Sequence, residues 1–181
     1  LSDDACSLRE GQDRYTLSCV MRIGPDGDVR GAELCRGIIR SRNRMTYTQV
    51  TQVLNGQKDV CARYAHLLPM LGDARELARI LIERRARRGG PDLDLREAQI
   101  GIRNGKVEVQ ARERTISHRM IEAFMICANE AVAAFLRERC GLCLYRVHDK
   151  PSEERADAFR AYVRGMGLRG DFEPSDVRPR D

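Results

Sequence analysis

Three polar residues, His118, Glu122 and Asn129, punctuate an apolar run, TISHRMIEAFMICANEAVAAFL at 115–136. At 100° per residue they share one edge of a helix, beside a stripe of Met120, Ile121, Phe124, Met125, Ala128, Val132, Phe135 and Leu136. Polar groups at the rim of a buried face can point into a cleft while the helix stays anchored. Taken by itself, Glu122 reads as a rim carboxylate paired with Arg119 or Arg146. Cys140-x-x-Cys143 followed by His148 invites a metal or redox reading. Structural zinc needs four ligands, however, and a redox pair sits at a helix start rather than ahead of a strand. Two core thiols are the better reading. Asp92 and Asp94, in PDLDL, would share a face of an extended segment, but two-metal phosphoryl chemistry needs a larger and tighter cluster. Asp3-Asp4 is equally weak. The histidines are scattered, at 66, 118 and 148. No Ser-His-Asp or Cys-His arrangement and no glycine-rich phosphate loop has its expected local context.

The elements that must position these residues follow from periodicity and turn chemistry. RYTLSCVMRI (14–23) alternates as a strand, GPDG (24–27) turns the chain, and 28–40 returns as the second arm of an antiparallel hairpin. Thr46 with Gln49 forms a capping box for a short helix, Tyr47 to Leu54, closed by Asn55-Gly56. Residues 57–72 read as helical with an interruption at Pro69, and Asp73 with Glu76 as the capping box of a further helix to about Arg88. Arg84, Arg85, Arg87 and Arg88 in its last turns read as a solvated helix end matched to the dipole. Asn104-Gly105 sits between two strand-like runs, 99–103 and 106–111, as a second hairpin. After the long helix come a short strand, LCLYRV, and a final helix starting at Pro151-Ser152-Glu153 and stopped by Gly165 and Gly167.

Composition sets wider bounds. The chain has 181 residues, 42% hydrophobic and 33% charged, with a mean hydropathy of −0.50. No apolar run reaches the ~18 residues of a membrane span, so a soluble protein without a membrane partner is expected. Net charge is +5. Its cations are nearly all Arg, with Lys only at 58, 106 and 150. Arg binds phosphate in a bidentate fork and stacks on bases, which suits RNA, but a G- and C-rich genome also favours Arg. Seven cysteines without a signal-like segment point to reduced thiols and a cytoplasmic location, Cys19 and Cys127 serving as small buried hydrophobes. The absence of an initiator Met is taken to mark an internal fragment. Residues alone thus define a soluble α/β domain with a lean towards RNA.

Five segments in order resemble the catalytic domain of the ribonuclease II/ribonuclease R family. They are LSDDACSLREGQDR (1–14), IIRSRNRMTYTQV (38–50), ERRARRGGPDLDL (83–95), SHRMIEAFMICANEAVAAFL (117–136) and LYRVHDKPSEE (144–154). The resemblance covers about residues 1–168 and implies an α+β fold, antiparallel hairpins against long helices, with 1–181 a part of one RNB-type domain truncated at both ends. It implies 3′→5′ hydrolysis of single-stranded RNA to nucleoside 5′-monophosphates by a monomer. Magnesium would be held by aspartates upstream of Leu1, and the charge-stabilising arginine would lie beyond Asp181. Tyr47 matches the tyrosine that lies along the RNA, and Glu122 the glutamate that senses the ribose near the 3′ end. A carboxylate can accept from a 2′-hydroxyl, which DNA lacks. Arg146 and His148 fall in the last motif and are placed on the same RNA path. Leu93 stands where the family often carries an aromatic, which would forfeit base stacking of ~1–3 kcal/mol. Two other readings stay open: a catalytically silent RNA-binding relative, and a purely structural α/β module.

Overall fold

The computed structural model describes residue 2 and residues 4–90, 97–103, 105–112, 114–141, 144–145 and 150–169. Its elements are mixed α and β with two separate two-stranded antiparallel sheets. Strand β1 (Asp13–Ile23) pairs with β2 (Val29–Arg40), with Cys19 opposite Leu34 and an irregularity after Arg22. Gly27 closes the turn at φ +86° and donates to the Gly24 carbonyl at 2.9 Å. A side chain there would be strained by the positive φ and tight: a Cβ on Gly27 would lie 3.0 Å from Arg84 Cδ and 3.1 Å from Ile80 Cγ2, which would have to give way by a few tenths of an ångström.

Helix α1 (Tyr47–Leu54) starts at the anticipated capping box. Thr46 Oγ1 accepts from the Gln49 amide at 3.2 Å, and Gln49 Oε1 accepts from the Thr46 amide at 2.8 Å. Helix α2 (Lys58–Arg63) and a 3-10 turn (Ala65–Leu67) lead into α3 (Leu68–Arg87). Two expectations fail here. Pro69 does not interrupt a helix but lies in the first turn of α3, where a missing N–H costs nothing. Asp73 and Glu76 therefore sit inside a continuous helix and cap nothing. The strands β3 (Glu97–Arg103) and β4 (Lys106–Arg112) form the second hairpin, with Gly105 at φ +73° in its turn. Helix α4 (Ile116–Cys140) runs four residues past Leu136 to Gly141, whose φ of +66° ends it. The chain divides into two compact units, residues 1–141 and 142–181. The second contains α5 (Glu153–Gly165), where Ser152 Oγ accepts from the Arg155 amide.

The core of the first unit is a contact between α3 and α4. Ala78 and Leu81 meet Met120, Ala123 and Cys127, and Met21, Ile23 and Val29 of the first hairpin pack against them. The buried line of α4 is Ser117, Met120, Ala123 and Cys127, rotated from the stripe the large apolar residues define but sharing Met120 with it, and Phe124 of that stripe also packs against the core. Ile121 and Met125 are exposed. Small side chains explain the rotation: Ala78 facing Ala123 lets the two backbones approach closely, which bulkier residues would forbid.

The arginines at the end of α3 are not simply solvated. Arg84 donates to Asp28 at 2.7 Å and to Glu130 at 3.4 Å, tying the hairpin turn to α4. Arg88 reaches Glu130 at 3.2 Å, and Arg87 donates to the Asp26 carbonyl at 2.9 Å. Helix-dipole matching holds them at one end; the acidic residues of neighbouring elements then fix their direction.

Candidate functional site

Tyr47 is the first residue of α1, so the capping box fixes where its ring projects. The ring stacks on His118 in the first turn of α4, with centroids 4.1 Å apart and planes 17° from parallel. Beneath this stack, Ser117 is 1% exposed. Its hydroxyl donates to the Tyr47 carbonyl at 2.9 Å and contacts Thr51 Oγ1 at 2.8 Å and Thr115 Oγ1 at 2.9 Å. A hydroxyl has a single proton. With that proton on the carbonyl, Ser117 must accept from both threonines. Thr115 has then spent its own proton, so the 2.7 Å contact with His118 Nδ1 is donated by the ring. His118 accordingly carries its proton on Nδ1, an assignment that follows from the count rather than from any visible hydrogen.

Glu122 lies one turn further along the same edge of α4. Arg114 donates to Glu122 Oε2 at 2.6 Å, and Arg85 Nη1 stands 3.6 Å from Oε1. One of these comes from the end of α3 and one from just ahead of α4, and Arg146 lies outside the described residues. The carboxylate stays 41% exposed, so it retains acceptor positions towards solvent. Tyr47 and Glu122, far apart in sequence, are thus joined through His118 into one surface. Asn129 is exposed further along α4.

Ser117, Arg85 and Arg114 were not picked out as site residues by the sequence. Their roles depend on contacts with Tyr47, Thr51 and Glu122 from other elements, which no local pattern shows. Leu93, Arg146 and His148 lie outside the described residues, as do Asp92, Asp94 and Cys143. Among the described residues, no group of three or more His, Cys, Asp or Glu could hold a metal ion. Cys140 is an exposed thiol. Cys127 is buried, and desolvation pushes its thiol up from the ordinary value.

Comparison with known proteins places this geometry. Residues 1–178 match the RNB domain. Ribonuclease R 1 of Lactococcus lactis is 36% identical over 170 residues, which is 93% of this chain and 21% of that protein. Ribonuclease R of Thermotoga maritima is 37% identical over 177 residues, 95% of this chain and 24% of that protein. Among solved structures, Mycoplasma genitalium RNase R in complex with ribose-methylated single-stranded RNA superposes with a TM-score of 0.83 at 26% identity, over 99% of this chain and 28% of that one. The chain belongs to the RNB domain family. It spans about a fifth to a quarter of the length of these curated relatives, and its α+β architecture is that of the RNase R structures. No helix among the described residues is long and apolar enough to cross a membrane.

Proposed function

We propose that this chain forms part of the RNA path of a magnesium-dependent 3′→5′ exoribonuclease. Such an enzyme hydrolyses single-stranded RNA to nucleoside 5′-monophosphates, acting as a monomer in the cytoplasm. The observation that carries the reading is the Tyr47–His118 stack with Glu122 one helical turn beyond it. An aromatic face and an exposed carboxylate on one surface match the two features of a ribonucleotide that a protein reads without regard to base: its flat ring and its ribose hydroxyl. Relatives named ribonuclease R, and an RNase R structure holding single-stranded RNA, support it. Leu93, Arg146 and His148 are proposed to lie along the same path. Among the described residues no group of three or more His, Cys, Asp or Glu could hold the magnesium. What these residues do is orient: Tyr47 supports the RNA chain, and Glu122 accepts from a 2′-hydroxyl.

The test is release of mononucleotides from 3′-end degradation of a labelled single-stranded RNA by the full-length polypeptide with magnesium. Glu122→Gln and Tyr47→Ala should narrow its preference for RNA over a DNA of the same sequence. A full-length protein that binds RNA yet releases nothing would establish the silent-binder reading. One that does neither would leave the structural module.

A further inference from the structure

A long side chain in a helix leans back over the turn that precedes it. Tyr47 opens α1, so its own helix offers no such turn for the ring to lie on. The support comes from another element. Its ring stacks on His118 of α4, the planes 17° from parallel, while the side chain stays 43% exposed. The stack thus backs the ring and leaves surface for a ligand. His118 is oriented in turn, with Nδ1 2.7 Å from Thr115 Oγ1. Thr115 contacts the buried Ser117 hydroxyl at 2.9 Å, and that hydroxyl donates to the Tyr47 carbonyl at 2.9 Å. The first turn of α4 therefore grips Tyr47 twice: Ser117 takes the backbone and His118 takes the ring.

We infer that His118 is a positioning residue for RNA recognition, acting through Tyr47 by holding its ring in the binding orientation before RNA arrives. The inference rests on the RNA-path reading of the previous subsection and assigns the preorganisation of that path to one side chain. A ring without backing must be immobilised as RNA binds, and that ordering weakens association several-fold for each such side chain. A ring already stacked has met the cost during folding. What His118 contributes is its flat aromatic face, since parallel rings attract beyond the area they bury. Its nitrogen contact with Thr115 sets the angle of that face.

The experiment is equilibrium binding of a single-stranded oligoribonucleotide and its deoxy counterpart to the full-length polypeptide, with a chelator present to prevent cleavage. His118→Gln keeps a polar partner for Thr115 and removes the ring; His118→Phe keeps the ring and removes the nitrogen. Gln should weaken RNA binding roughly three- to tenfold and DNA binding less. The RNA-to-DNA ratio then falls in the same direction as in Tyr47→Ala. Phe should stay close to wild type. With Tyr47→Ala already in place, His118→Gln should add no more than about twofold, because no ring remains to be held. Should Gln fail to fold, His118→Leu carries the same expectation. A full effect of Gln in the Tyr47→Ala background overturns the inference, because His118 would then act without Tyr47. So does a Phe variant as weak as Gln, which would make the nitrogen the working part. A wild-type protein that fails to bind RNA sinks the RNA-path reading itself. A wild type that prefers RNA while His118→Gln behaves identically sinks the positioning role alone.

Discussion

Ser117 shows how much one small hydroxyl can decide. It satisfies the Tyr47 carbonyl and accepts from Thr51 and Thr115, so it joins the starts of α1 and α4 and dictates the proton position on His118. Ser117→Ala removes the buried hydroxyl that bridges the Tyr47 carbonyl and the Thr51 and Thr115 hydroxyls and should cost about 1–3 kcal/mol, measured by denaturant unfolding. It should also weaken RNA binding, because Tyr47 loses its anchor. A variant as stable as wild type would mean that the carbonyl finds another donor. Cys127 gives a second prediction at this scale. Its thiol is raised by burial first and by the nearby Glu130 charge second. Thiolate is the reactive form, so its alkylation should begin at higher pH than that of exposed Cys6 and Cys140, and should lag behind them at neutral pH until the protein is unfolded. Mass mapping of a brief iodoacetamide pulse reads this directly; early labelling of Cys127 would contradict the burial.

At the scale of elements, Gly27 is where the first hairpin meets α3. Its positive φ and its contacts with Arg84 and Ile80 predict that Gly27→Ala costs about 1–2 kcal/mol from backbone strain alone. A domain of this size would then melt a few degrees lower. Unchanged melting would show that the turn can rearrange. The hairpins and α1 were legible in the sequence because their signals are local: alternation, GPDG, Asn-Gly and the Thr46–Gln49 box each act over a few residues. The start of α3 was misread because two local signals competed. The Asp73–Glu76 pattern looked like a cap, yet Pro69 was already sitting in the first turn. The buried face of α4 was misread for a different reason. Hydrophobicity pointed to Ile121 and Met125, while the contact with α3 selected the small residues Ala78 and Ala123, a choice that depends on a partner helix far away in sequence. The same holds for the Arg84–Asp28–Glu130 bridge: each charge is visible in the chain, and their convergence is not. Of the site, Tyr47 and Glu122 came from family resemblance, whereas the stack that links them came only from the fold.

For the molecule as a whole, the apolar side chains left uncovered matter as much as the core. Tyr15, Leu17 and Ile38 on the first hairpin and Ile100, Ile102, Val107 and Val109 on the second are well exposed, as is Met125 on α4. With exposed apolar area of this kind and open strand edges, the 181-residue chain alone should bind a hydrophobic dye strongly and associate with rising concentration, and the full-length polypeptide should do neither. Weak dye binding by both would mean that these side chains find cover within the chain. The packing of the first hairpin has a consequence in time as well. Met21, Ile23 and Val29 pack against a core drawn from both α3 and α4, so the hairpin's inner face lacks the α4 half of its cover until α4 has been synthesised. At ~5–20 residues per second that delay is on the order of 5–20 s. Nascent chains stalled before α4 should have a protease-sensitive hairpin, and chains stalled well beyond Gly141 a protected one. Early protection would show that the hairpin stands by itself. Otherwise the pace of the ribosome, as well as the sequence, sets how long this newborn surface stays adhesive and open to a holding chaperone.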